Sequence, residues 1–143
     1  METKRYKPLV DRLFWIIVIP TVILSAVATV IPALFYPSVL FVMIPVDVFV
    51  GYFSISPLFG YVELREHSVF IKYGFILKKE VSYDRIRAAE KGRKLYSDSM
   101  MSLKNAFEHV NIRYNAFDVT TVSVVGNDEL VREINERCFN KRL

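Results

Sequence analysis

The chain's 143 residues allow one domain plus an anchor, and a hydrophobic content of 52% with a positive mean hydropathy exceeds what a soluble domain usually carries. A net charge of +4 is too small and too dispersed for the dense basic stripe of a nucleic-acid-binding protein, so no nucleic-acid partner is expected. The single cysteine, Cys138, rules out an internal disulfide and a multi-cysteine metal site and suits a reducing compartment. His67 and His109 lack the spacings of a zinc site, so neither metal nor cofactor is expected.

Charge falls in blocks along the chain. Residues 1–12 carry Lys4, Arg5, Lys7 and Arg12 against Glu2 and Asp11; from Leu13 to Val62 the only charge is Asp47; the rest of the protein's charge follows. A bilayer core of about 30 Å takes about 20 apolar residues in a helix, so the uncharged run from Leu13 to Val46 is longer than one span requires and must be divided. The natural break is Phe35-Tyr36-Pro37-Ser38, because Pro37 lacks an amide hydrogen and disfavours helix in the residue before it. The pattern predicts two transmembrane helices, about 13–35 and 38–59, kinked at Pro20, Pro32, Pro45 and Pro57. The connecting loop is uncharged, whereas basic residues precede the first span and Arg65 and Lys72 follow the second, so both termini are expected in the cytoplasm, at the inner face of the cell membrane. Residues 1–12 then form a basic cytoplasmic N-terminus and residues 60–143 a cytoplasmic domain. A cleaved signal peptide ending near Ala26-Val27-Ala28 is disfavoured by the hydrophobicity that continues beyond it. A buried hairpin in a soluble protein is disfavoured by the little polar sequence left to cover it.

Asp47 falls near the middle of the second span, where an ionised carboxylate costs roughly 2.5–3.5 kcal/mol. One reading makes it a site for a proton, an ion or a partner helix. The other makes it a neutral carboxyl packed against Thr21, Ser25 or a backbone carbonyl of the first helix, or shifts the second span so that Asp47 lies shallower.

After Gly60 the hydrophobic period becomes two. Tyr61–Arg65, Ser68–Tyr73 and Phe75–Val81 read as strands joined at Glu66-His67 and Tyr73-Gly74; Ile86–Glu90, His109–Tyr114 and Val119–Val124 read as three more, the last two separated by the turn-rich Asn115-Ala116-Phe117-Asp118. At Gly126-Asn127-Asp128 the strands end. Asn127 or Asp128 is expected to cap a helix, about 127–139, with Leu130, Val131, Ile134 and Cys138 on the face that covers the strands. Cys138 is thereby expected to be a core contact.

Two apolar spans, then "YVELREHSVFIKYGFILKKEVSYDRIRAAEKG", "SLKNAFEHVNIRYN", "VTTVSVVG" and a terminal "NDELVREINERC", in that order, resemble the bacterial pleckstrin-homology-like (PH domain-containing) small membrane proteins. The features that carry the resemblance are the Tyr73-Gly74 step, "YDRIR" around Ile86, Ser102-Leu103 before a strand ending Ile112-Arg113-Tyr114, and the last helix. They cover about residues 61–140. At Val124-Val125-Gly126-Asn127 the family often has a serine-proline, which leaves the helix start open. The resemblance implies an α + β membrane protein: a two-helix hairpin followed by a PH-like antiparallel β-barrel or meander, capped by the C-terminal helix. It also implies a binding platform for membrane lipids or for a membrane or cytosolic protein partner.

The densest candidate site is Lys91-Gly92-Arg93-Lys94-Leu95-Tyr96, followed by Met100-Met101. If the strands alternate away from and toward the membrane starting at Gly60, the fourth brings this loop to anionic headgroups, where each basic residue contributes about 1 kcal/mol of attraction. A merely solvated loop is the competing reading. Lys78, Lys79, Arg85 and Arg87 are interleaved with Glu80 and Asp84 and read as exposed strand charges. No nucleophile elbow or glycine-rich loop is present, and Asp84, Asp98, Glu108 and Asp118 are isolated, so no catalytic activity is expected. Two roles follow. The first is a membrane-tethered binding or scaffold module acting through Lys91, Arg93, Lys94 and Tyr96. The second, implied by the resemblance, is an accessory or immunity role in bacteriocin or toxin resistance or export, acting through the hairpin and Asp47.

Overall fold

A computed structural model describes residues 2–94, 96–97, 99 and 102–143; Leu95, Asp98, Met100 and Met101, named above, lie outside them. Helix α1 (Arg12–Phe35) begins where the Asp11 side chain caps the Leu13 amide, and it ends at Tyr36, whose amide donates back to Pro32. Pro37 opens a 3₁₀ turn, Pro37–Val39, that leads into α2 (Leu40–Ile55), and a second 3₁₀ turn, Ser56–Phe59, leads out. Each candidate span, 24 and 23 residues long with mean hydropathy 2.5 and 2.0, is long and apolar enough to cross a membrane. Their apolar side chains face outward, as Phe41 does at 86% exposure, which is not how the core helices of a soluble protein sit.

Two four-stranded sheets follow. The first has the order β1-β2-β3-β4, all antiparallel, from β1 (Lys4–Tyr6), β2 (Tyr61–Leu64), β3 (Ser68–Lys72) and β4 (Lys78–Ser82). The second has the order β5-β7-β8-β6, from β5 (Ile86–Arg93), β6 (Ser102–Leu103), β7 (Glu108–Tyr114) and β8 (Asp118–Val122), with β6 parallel to β8. The expected antiparallel barrel is therefore corrected to two sheets that do not close. After β4 the chain makes a 3₁₀ turn at Tyr83–Arg85 instead of pairing onward, and helix α3 (Asn127–Arg142) packs against that turn and β5. Covering by a helix is one of the ways proteins protect an unpaired edge.

Strand β1 comes from the basic segment ahead of the first helix. It pairs Lys4 with Leu64, Arg5 with Glu63 and Tyr6 with Val62. Just beyond it, the Leu9 amide donates to Ser123 O and the Val125 amide to Lys7 O, each at 2.9 Å, so the same segment stitches the second sheet to the first. Tyr6 is buried in the shared core with Val62, Ile71, Ile112 and Ile134. Arg137 of α3 donates to the Glu2 and Arg65 carbonyls, and Lys4 pairs with Glu129 and Glu133. Glu63 accepts from Arg5 at 2.8 Å and from Arg65 at 2.9 Å, and these bonds hold its carboxyl below the usual value. Across the core, the Tyr73 hydroxyl meets the Thr120 hydroxyl at 2.5 Å, and burial pushes the phenol up to about 12.

Phe75, Ile76 and Leu77, expected in a strand, form a loop that begins at Tyr73, whose amide donates to Leu77 O. The expected cap at Asn127 is also corrected. Its Oδ1 accepts the Val124 amide and so points back into the strand connection, while Gly126 at φ +92° forms the start of α3 and spares a side chain the left-handed backbone. Leu130, Ile134 and Cys138 are buried, as the spacing predicts.

Two outcomes are expected from this arrangement. Tyr6→Ala removes a core aromatic and lowers unfolding stability by about 3 kcal/mol, measured by denaturant or thermal unfolding in detergent. The lowered Glu63 carboxyl stabilises the fold fully above its ordinary value of 4.5, and this contribution is lost as pH falls through the depressed folded-state value. Melting temperature should therefore decline on acidification below about pH 4.5, less steeply in Glu63→Gln.

Candidate functional site

Where the sheets meet the helices, both ends of the hairpin are tied to one loop. Asp11, besides capping α1, accepts the Phe107 amide at 3.0 Å through its second oxygen, and its own amide donates to Asn105 O at 3.3 Å. The Asn105 side chain donates to Pro57 O at 3.3 Å, just past α2. Beside them lies a cleft of about 460 Å³, lined by apolar side chains that include Phe14, Val18 and Phe53 and also by Ser97, Ser102, Lys104 and Asn105. Asp11 is read from the sequence only as a charge, although an N-capping residue directly before an apolar run is a helix-start signal. Nothing local marks Asn105 or Lys104.

Next to this cleft, sharing Phe53, Pro57 and Ser102 with it, the β3–β4 loop is fixed to the end of α2. The Phe75 amide donates to Ser56 Oγ at 3.1 Å, and the Phe75 ring lies 5.4 Å from Tyr52 and 4.7 Å from Phe59. A Cβ on Gly74 would stand 1.9 Å from Ser56 Oγ, so only glycine permits this approach.

The predicted basic loop is divided by the fold. Lys91 faces α3, with its ammonium 3.0 Å from Asp128 and 3.6 Å from Glu108, and the bond to Asp128 raises its pKa. Arg93 is exposed at the end of β5. The Lys94 amide donates to Phe107 O, its ammonium lies 5.4 Å over the exposed Tyr96 ring, and Lys104 donates to its carbonyl. The structure thus gathers Lys94, Tyr96 and Lys104 and directs Lys91 elsewhere. At the base of the loop His109 is fully buried, its Nδ1 3.0 Å from Phe107 O, and Gly92 leaves room for the ring. Of the remaining acids, Asp84 meets Lys141, Asp118 meets Asn115 and Glu108 meets Lys91. Among the described residues no group of three His, Cys, Asp or Glu side chains is placed to hold a metal.

Asp47 is engaged by the other helix of the hairpin. Ser25 donates to one carboxyl oxygen and Thr29 to the other at 2.7 Å, with the Ser25 carbonyl 3.1 Å from the same Thr29 hydroxyl. Ser25 is one of the partners the sequence suggested; Thr21 instead donates to Ile17 O within its own helix. With both oxygens accepting, Asp47 acts as a cross-helix clamp beside a small cleft lined by Val22, Ala26 and Gly51. Asp47→Asn, which keeps an acceptor, should leave the melting temperature of the purified protein near the parent value, whereas Asp47→Leu should cost about 1 kcal/mol. A Leu variant as stable as the parent would remove the clamp.

A search of curated proteins and a search of solved structures each returned no match. A family model described as Bacterial PH domain matches residues 60–138, from the end of the second apolar helix through β2–β8 and most of α3. That span is more than half of the chain, and on it the chain belongs to the bacterial PH domain family.

Proposed function

We propose that the protein is a non-catalytic, membrane-tethered PH-like binding or scaffold module, held by a two-helix transmembrane hairpin with both termini in the cytoplasm. The family supports a binding role. The observation that supports the tether is the pairing of β1 with β2 on either side of the two apolar helices. A strand before the hairpin can pair with a strand after it only when both lie on the same side, which requires an even number of crossings. Cleavage after Ala28 would remove β1, so the pairing also disfavours a signal peptide. Lys4, Arg5, Lys7 and Arg12 beside the start of α1 favour the cytoplasmic side.

Ligand or partner would meet the end of the sheets nearest the helices, where Lys104 lines the 460 Å³ cleft and bonds the carbonyl of Lys94, with Tyr96 under the Lys94 ammonium and Arg93 at the end of β5. Anionic groups suit this end, whether of a lipid headgroup or of an acidic protein. Asp47 has both oxygens engaged by Ser25 and Thr29, which favours this reading over an accessory or immunity role acting through the hairpin.

Compartment-sensitive reporters test the tether. A fusion after Leu143 should report the cytoplasm and a fusion truncated at Tyr36 the outside; an external Leu143 would refute the hairpin. Arg93→Glu combined with Lys94→Glu should weaken recovery of partners or anionic lipid with the purified protein severalfold, with its melting temperature unchanged.

A further inference from the structure

We infer that the β3–β4 loop, residues 73–77, is a second membrane contact that inserts Phe75, Ile76 and Leu77 into the boundary between headgroups and acyl chains of an anionic leaflet. The inference rests on the reading of α1 and α2 as membrane spans.

Three observations meet at this loop. Its tip is apolar and uncovered, with Ile76 at 74% exposure and Phe75 and Leu77 also exposed, an unusual run for a surface turn. It is also held still. The Tyr73–Leu77 hydrogen bond closes it, Ser56 holds the Phe75 amide, and Gly74 seats it against the end of α2. Phe75 contacts Tyr52, which lies inside the second apolar span about one helical turn before Ser56, so the tip is fixed at the depth where aromatic side chains meet the bilayer interface.

The third observation is electrostatic. At the neck of the loop Lys72 and Lys78 are direct cross-strand partners, an arrangement that repels in isolation. Among the described residues neither ammonium has a carboxylate partner, although Lys72 also lies 5.8 Å over the Tyr61 ring. Anionic headgroups would relieve that repulsion where the apolar tip enters the leaflet. An apolar tip with a cationic collar, continuous with an apolar helix, fits a lipid surface better than an acidic groove of a protein.

The test uses the full-length protein in phosphatidylcholine–phosphatidylglycerol vesicles, with an environment-sensitive fluorophore on Ile76→Cys, Leu24→Cys or Phe117→Cys. The parent, whose only thiol is the buried Cys138, is the labelling blank. Leu24 is mid-way along α1, and Phe117, 96% exposed in the β7–β8 turn, is the control for an apolar site away from the helices. The expected result is a blue shift and loss of most of the emission at 76 with lipids carrying a shallow nitroxide, deep quenching at 24, and no lipid quenching at 117. Adding Lys72→Glu and Lys78→Glu should reduce the quenching at 76 severalfold. A label at 76 that behaves like the one at 117, with 24 deep, overturns the loop contact and leaves the hairpin standing. A label at 76 shielded from aqueous quencher but untouched by lipid nitroxides assigns the surface to a protein or a second copy and overturns it too. An aqueous label at 24 refutes the spans, and with them this inference.

Discussion

Antiparallel hydrogen bonding between Lys4–Tyr6 and Tyr61–Leu64 constrains everything else in this chain. It requires the two apolar helices to leave the domain and return to it. It also turns the basic segment at the start of the chain into an edge strand, whose Arg5 and Lys4 then find Glu63 of β2 and Glu129 of α3. Because the segment goes on to bond with Ser123 and Val125, it joins the first apolar helix, both sheets and the C-terminal helix. An open pair of sheets is stable here because β1 lies along one edge and α3 covers the gap next to the other.

Two aspartates near the helices do analogous work in different surroundings. Asp11, at the helix start, divides its oxygens between its own helix and the Phe107 amide and so orients the domain on the hairpin. Asp47, inside the apolar stretch, divides its oxygens between two hydroxyls one turn apart on the facing helix and so orients the helices on each other. An aspartate side chain is suited to both positions because its two oxygens can each meet a separate partner.

The elements legible in the sequence were those whose signal is local. The apolar runs, the proline break at Tyr36, the alternation of Val69 and Ile71, and the spacing of Leu130, Ile134 and Cys138 each depend on residues a few positions apart. Strand β1 was not legible, because Lys-Arg-Tyr carries no alternation of its own and becomes a strand only through β2, far along the chain. Phe75-Ile76-Leu77 has the apolar composition of a strand, but contact with Tyr52 and Ser56 holds it as a loop. The basic cluster was legible as composition but not as geometry. Strand β5 runs on to Arg93, so Lys91 sits in the sheet facing Asp128, and Lys104 takes its place from a separate segment.

The pairing of β1 with β2 also sets an order of events during synthesis. The first strand made leaves the ribosome long before its partner, and between them lies the whole apolar hairpin. Until Tyr61–Leu64 emerges, Lys4–Tyr6 has no sheet to join, and the core that buries Tyr6 waits longer still for Ile134. Closure of the domain is therefore a late, long-range step that follows placement of the helices, the kind of contact that is slow to form. An extension fused ahead of residue 2 would have to be accommodated at that final docking, beside the Glu2 carbonyl that Arg137 holds.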